Sequence, residues 1–336
     1  MVRNSKVDTI RILYYGAGWP TNIGNAFIDL GAMAILHAAV PNAHVTFASE
    51  MPRWFFGPGA KRSQIQKSRR FHFWRGDQPV EEPIMDNALD IASVTQCDLV
   101  VFSGMAMCEV FVRVNGPTIL SLSGRGVPVL LLGTGAQQYS QQEKNLYGDF
   151  LRRVRPIGFV SRDDRAYDMF ADYVHQAQKG IDCGFFLSEA YTPFPLVLPA
   201  YLVAAFDSTP EPVLDLKGRQ LIRAHHDCWT PLKREHTSTA NTLISDIPYD
   251  YLALYANAEE VHSDRVHTCV AALAYGRHAR LYHPTPRSSL FDAVGAIEIR
   301  DRLVQLDLQS LKRKKELQIE FARQIITEHV RGLNTF

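Results

Sequence analysis

Charge of one sign is what this sequence has least of: 36 Lys and Arg stand against 35 Asp and Glu, a formal net charge of +1 across 336 residues. So even a balance argues against nucleic acid and against any partner gathered by a long-range field. Long hydrophobic runs are missing as well. The most apolar window, Phe194 to Phe206, is broken by Pro195 and Pro199 and falls short of the roughly 20 residues a membrane span requires. Cysteine is sparse and odd in number, five with no CxxC pair, and Cys97, Cys183 and Cys269 stand in apolar or strand-like settings. That excludes a disulfide scaffold and suits reduced thiols in a cytoplasmic protein. Met1 to Asp8 is polar and leads straight into a strand, so no secretory signal is expected. Repeats and low-complexity tracts are absent too. What is present, 46% hydrophobic and 21% charged residues, is the composition of a soluble globular chain long enough for two domains with separate cores.

Short apolar runs alternate with helical patterns in the first half, which predicts a parallel sheet covered by helices on both faces. Strands are expected at 10–15, 44–48, 99–102, 127–132 and 157–160, and helices at 24–38 and 163–174. Thr192-Pro-Phe-Pro-Leu-Val-Leu-Pro199 carries three prolines that interrupt any regular element, and marks a linker. Strands restart at 201–206 and 220–224 and recur at 260–262 and 279–282, with a helix at 250–258 and a closing helix at 303–331. The run Lys312-Arg-Lys-Lys-Glu316 inside that last helix reads as a solvated face. The expected layout is α/β, two Rossmann-like domains facing across a cleft in GT-B-like fashion. The first occupies 1–190 with a basic aromatic insertion at 52–82, the second 200–300, and 301–336 is a helix that packs back on the first domain.

The most informative stretch is His262-Ser-Asp-Arg-Val-His-Thr-Cys-Val-Ala-Ala-Leu-Ala-Tyr-Gly276. Val266, Cys269, Val270, Leu273 and Ala274 recur at helical spacing, Ser263 or Asp264 suits a cap, and Gly276 supplies a stop. Arg265 and His267 then fall in the first turn, where unpaired N–H groups and the helix dipole favour an anion. They lie about 200° apart around the axis, yet both reach a ligand seated over the helix end. A guanidinium that grips phosphate or carboxylate beside a titratable imidazole suits anionic chemistry. The plain alternative is an exposed turn with both side chains merely solvated.

Other candidates sit at strand ends. In Gly16-Ala-Gly-Trp-Pro-Thr-Asn-Ile-Gly24, Thr21 or Asn22 suits a helix cap, and Asn22, Gly24 and Asn25 are placed to contact an acceptor or anion. The glycine spacing is not that of a dinucleotide fingerprint, and the other reading is a tight turn. Gly133-Thr-Gly135 lets the backbone approach a ligand closely, with Gln137 to bond a hydroxyl or carboxylate. Ser161-Arg-Asp-Asp164 closes a strand, Ser161 or Asp163 suiting a cap and Arg162 being free to point across the cleft, or else paired at the surface. His225-His-Asp-Cys228, with His236, invites a metal reading, but neighbouring strand residues point to opposite faces and no second ligand pair has zinc-like spacing. No metal is expected; a loop at the cleft mouth is. Between Arg53 and Arg75 the cations Lys61, Arg62, Lys67, Arg69 and Arg70 mix with Phe71, Phe73 and Trp74. This is either a flap for a sugar or an anionic lipid-linked carrier at a membrane surface, or an insertion wrapped around the first domain.

Asp264-Arg-Val-His-Thr-Cys-Val-Ala-Ala-Leu-Ala-Tyr-Gly-Arg-His-Ala-Arg-Leu281 resembles a signature of the polysaccharide pyruvyl transferase family. Asn22-Ile-Gly-Asn25, Ser161-Arg-Asp163 and Ile181-Asp-Cys-Gly-Phe-Phe186 follow that family's order, so the likeness runs from about 11 to 295. Departures are Asn25 where Asp is usual, Ser103-Gly-Met-Ala for a more glycine-rich turn, and Gly133-Thr-Gly-Ala-Gln-Gln138 for one ending near Pro. The resemblance implies transfer of a pyruvyl group from phosphoenolpyruvate to a saccharide or lipid-linked saccharide, with phosphate released. It implies no cofactor and leaves peripheral membrane contact open, while the balanced net charge argues against nucleic acid. His267 would be the acid or base, Arg265 and Arg162 the donor grip, and Val266 a substrate contact. A nucleotide-sugar glycosyltransferase of the same architecture is the runner-up, and an inactive glycan-binding relative the third reading. The acceptor and the oligomeric state are not legible.

Overall fold

The computed structural model describes residues 9–16, 19, 22–49, 89–226, 240–283 and 285–330. The basic aromatic segment 52–82, Thr21, Asp227, Cys228 and His236 lie outside the described residues.

Continuous apolar runs such as Val129–Leu132 read as strands buried on both faces, and they build two sheets. The first holds β1 (Arg11–Gly16), β2 (His44–Ser49), β3 (Leu99–Met107), β4 (Val129–Ala136), β5 (Gly158–Ser161) and β6 (Ala177–Lys179) in the order β2-β1-β3-β4-β5-β6. The second holds β7 (Tyr201–Ala205), β8 (Gln220–His225), β9 (Thr242–Ile244), β10 (Glu260–Ser263) and β11 (His278–Leu281) in the order β11-β10-β7-β8-β9. Every pairing within both sheets is parallel. The longer helices are α1 (Ile23–Ala39), α2 (Glu109–Gly124), α3 (Gln141–Val154), α4 (Asp164–Phe170), α5 (Pro248–Asn257), α6 (Val266–Ala274) and α7 (Leu308–His329). Among the described residues no helix is long and apolar enough to cross a membrane.

Two apolar cores result. One lies under α2, α3 and α4 and contains Leu13, Phe102, Phe150 and Phe159. The other runs without interruption from the opposite face of the first sheet through α1 into the second sheet, joining Ile12, Phe27, Val203 and Val270. Helix α1 therefore serves both halves. Its approach to the turn Cys183–Phe186 is so close that a Cβ on Gly31 would lie 1.8 Å from the Cys183 carbonyl oxygen. Helix α7 returns to pack on α1 and β5. Lys315 breaks the expectation of a solvated charge run: Lys312, Arg313 and Lys314 are exposed, but Lys315 is buried and reaches Glu189 at 2.9 Å.

Several boundaries differ from the sequence expectation for local reasons. Strands β3 and β4 run on through Ser103-Gly-Met-Ala and Gly133-Thr-Gly135, which are irregular strand rather than turns, with Gly104 at φ +64 and Gly133 at φ +62. Helix α4 stops at Phe170 and tightens into a 3₁₀ turn, Ala171–Tyr173. The last helix starts at Leu308 rather than near 303, because Val304 pairs with Ala279 and Asp307 caps the helix by accepting from the Gln309 amide at 2.9 Å.

Candidate active site

The winding of the second sheet reverses between β7 and β10, the point where α/β sheets open a crevice for ligands. Asp207 follows β7, and Asp264-Arg265 follows β10. Asp264 collects the amides of Asp207, Ser208 and Thr209 at 3.2, 2.6 and 2.7 Å. Three N–H groups outbid the role of helix cap expected for it. Ser263, the other expected cap, instead donates to the Ala205 carbonyl and accepts from the Arg265 amide, each at 2.8 Å. The helix consequently begins one or two residues late, at Val266, with Arg265 in the cap position itself.

Asp207 organises this half of the cleft. Its carboxylate accepts from Arg265 Nε at 3.0 Å, from His225 Nδ1 at 2.9 Å and from the His226 amide at 3.1 Å. Burial would push its pKa up, but the His225 hydrogen bond, the Arg265 charge and the His226 amide hold it well below the ordinary carboxylate range. Adjacent His226 is sealed in: its Nε2 shares a hydrogen bond with the Tyr255 hydroxyl, and the Phe27 ring of α1 meets it edge-on at 5.7 Å. Burial pushes its pKa down to about 3, so this imidazole is neutral.

His267, one position into α6 and 8% exposed, faces the first domain. Its Nε2 lies 3.5 Å from Asp182 Oδ2, and a Cβ on Gly24 would lie 3.1 Å from its own Cβ. Asp182 caps the turn Cys183–Phe186 by accepting from the Gly184 amide at 2.8 Å. Burial pushes this carboxyl up, while His267, Arg162 and that amide bring it below its ordinary value. Its Nε2 is sealed from solvent, with no hydrogen bond aligned to Asp182.

Arg162 is left by the sequence either free to point across the cleft or paired at the surface. It is instead 1% exposed and tied down inside the first domain. Its Nε donates to the Tyr139 hydroxyl at 3.1 Å, its Nη2 donates to the Ala136 carbonyl, and Asp163 Oδ2 stands 3.8 Å away. Asp163 caps α4 through the Ala166 amide at 2.7 Å and accepts from Tyr139 and, across the cleft, from Ser289 at 2.8 Å. Tyr139 adopts φ +57, the left-handed region that side chains occupy only when neighbours enforce it.

The remaining expectations fall into two groups. Asn22 caps α1 by accepting from the Gly24 amide at 3.0 Å, and Gly24 abuts His267. Asn25 is half-buried beside them on α1. The glycines expected to admit a ligand admit the protein's own atoms: a Cβ on Gly133 would meet Cys183 Sγ at 2.6 Å, and one on Gly135 would meet Arg162 Nε at 2.5 Å. Val266, expected as a substrate contact, buries its side chain in the shared core. Gln137 is half-buried and donates its amide to Glu143 at 3.2 Å. Asp182, Asp207 and Tyr139 were missed as site residues. The usable signal was an acid directly after a strand, as in Tyr201-Leu-Val-Ala-Ala-Phe-Asp207. Among the described residues no three His, Cys, Asp or Glu side chains gather as for a metal.

Two parallel sheets opposed across a cleft, with cationic and imidazole side chains at their carboxyl ends, define a GT-B-type protein. Two solved structures share this fold. One, from Listeria monocytogenes and described as a UDP-N-acetylglucosamine 2-epimerase, is 10% identical with a TM-score of 0.52, covering 96% of this chain and 97% of its own. Another UDP-N-acetylglucosamine 2-epimerase is 11% identical with a TM-score of 0.53, covering 95% of each chain. Identity that low speaks to fold alone. No curated protein is similar enough in sequence to match. The polysaccharide pyruvyl transferase family matches residues 22–281, and the chain belongs to that family of transferases.

Proposed function

We propose that the cleft binds phosphoenolpyruvate and moves its pyruvyl group onto two hydroxyls of a saccharide or lipid-linked saccharide, forming a ketal. The observation that carries this reading is a contact between the domains in a chain of this family: His267, two residues after Arg265, stands 3.5 Å from Asp182 of the first domain and abuts Gly24. Phosphoenolpyruvate has a phosphate and a carboxylate, and two guanidiniums fixed by Tyr139 and by Asp207 suit both.

In the reaction, the enol methylene takes a proton and an acceptor hydroxyl bonds to C2 as it loses one. The C2–O bond to phosphate then breaks with its electron pair on the phosphate, and the arginines stabilise that charge. The second hydroxyl closes on C2 and gives up its proton, so the products are a ketal with a new methyl group and inorganic phosphate. His267 is the proton carrier, with Asp182 3.5 Å behind it. No cofactor or metal enters the scheme. The test is phosphate release from phosphoenolpyruvate with saccharide acceptors in D₂O. The expected product carries one deuterium in the pyruvyl methyl group; release of a nucleoside diphosphate from a nucleotide sugar, with phosphoenolpyruvate untouched, would replace this reading with glycosyl transfer.

A further inference from the structure

We infer that Arg287 is a third anion-binding guanidinium of this cleft, carried by the second domain and placed to share one phosphate or carboxylate with Arg162 of the first. The identity of that anion as the donor's rests on the function proposed above; the anion site itself does not.

Arg287 lies in the turn Pro286–Ser288 beyond β11, which Thr285 caps by accepting from the Arg287 amide at 3.1 Å. The turn is pinned to the first domain on both sides. Arg165 donates to the Pro286 carbonyl at 3.5 Å, and Ser289 donates to Asp163 Oδ2 at 2.8 Å. Asp163 is the chain neighbour of Arg162, so these contacts bring the turn that carries Arg287 to the edge of the first domain under which Arg162 lies.

The surroundings of Arg287 are wrong for a purely structural arginine. Its side chain is half-buried, and no carboxylate or carbonyl among the described residues accepts from its guanidinium. Arg162 is held by Tyr139 and Ala136, and Arg265 by Asp207. Burial, then the charges of Arg162 and Arg265, push the Arg287 pKa down to about 10. A half-buried cation beside two like charges costs stability. A phosphate between the domains offsets that cost with charge-assisted bonds to a fork no other group occupies. The same anion would then tie the two domains together.

Inorganic phosphate is the probe, titrated by calorimetry and by thermal shift against the full chain. Wild type is expected to bind and to gain melting temperature. Arg287→Ala is expected to bind about 10- to 100-fold more weakly, Arg287→Lys to recover part of the loss, and Arg313→Ala, on the exposed face of α7, to match wild type. Unliganded melting temperatures check that each variant is folded, and Arg287→Lys keeps the test open if the alanine variant is not. Phosphate binding that is absent in wild type, or unchanged in Arg287→Ala, would overturn the inference. Arg287-dependent phosphate binding without pyruvyl transfer would retain the anion site and retire the donor assignment alone.

Discussion

Two His–Asp pairs stand at the cleft, and they are built differently. His225 and Asp207 belong to the same domain, sit 2.9 Å apart in a true hydrogen bond, and share that carboxylate with Arg265. His267 and Asp182 come from opposite domains and stand 3.5 Å apart, with no hydrogen bond aligned between them. The first pair is fixed when its domain folds. The second exists only when the halves meet, and it is the one beside Gly24 and the helix end. A tight pair within one domain suits holding an arginine in place; a looser pair between domains suits moving a proton.

Substitutions can break that contrast. The largest effect is expected from His267→Ala, which should lower turnover of phosphoenolpyruvate by about 10²–10⁴-fold, the usual scale for a lost general acid or base, while leaving donor binding intact. His225→Ala should cost much less turnover; equal losses in steady-state kinetics would erase the distinction between the pairs. Next comes Asp207→Ala. Removing one partner of a buried ion pair costs about 3–5 kcal/mol, readable by urea denaturation, and the released Arg265 should raise the KM for donor. Asp207 has its folded pKa below the ordinary 3.8, so its stabilisation is fully present above that pH and fades as acid carries the pH below it. The last effect, small at any one step in pH, concerns His226. Unfolded, its imidazole takes a proton near pH 6.5, and folded not until about 3, so acid favours the unfolded chain between those values. Stability should therefore fall as pH drops through that window, by up to about 1.4 kcal/mol per pH unit from this group. Denaturation at several pH values should show a flatter profile for His226→Gln.

Much of the scaffold was legible in the sequence, because doubly buried parallel strands leave unmistakable apolar runs. The edge strands Ala177–Lys179 and Thr242–Ile244 were not, since three residues are too few to show a period. Arg162, Arg265 and His267 were legible as residues, but not their settings. Nothing local says that Asp264 will abandon a helix cap for three amides of the loop after β7, or that Arg162 will fold back onto Tyr139. Asp182 as the partner of His267 was equally hidden. Such choices are made by tertiary contacts between distant segments, and local patterning carries no trace of them.

The central claim is that His267 and Asp182 work as one unit assembled across the domains, and a double-mutant cycle on turnover of phosphoenolpyruvate tests it most directly. Asp182→Asn alone should slow turnover about 10-fold, the effect of one lost charge contact worth roughly 1.5 kcal/mol. His267→Ala should cost more, and the double variant should be no slower than His267→Ala, because residues acting together lose their effects together. Losses that multiply in the double variant would show the two groups acting independently, and would contradict the cross-domain pair as the proton-moving element.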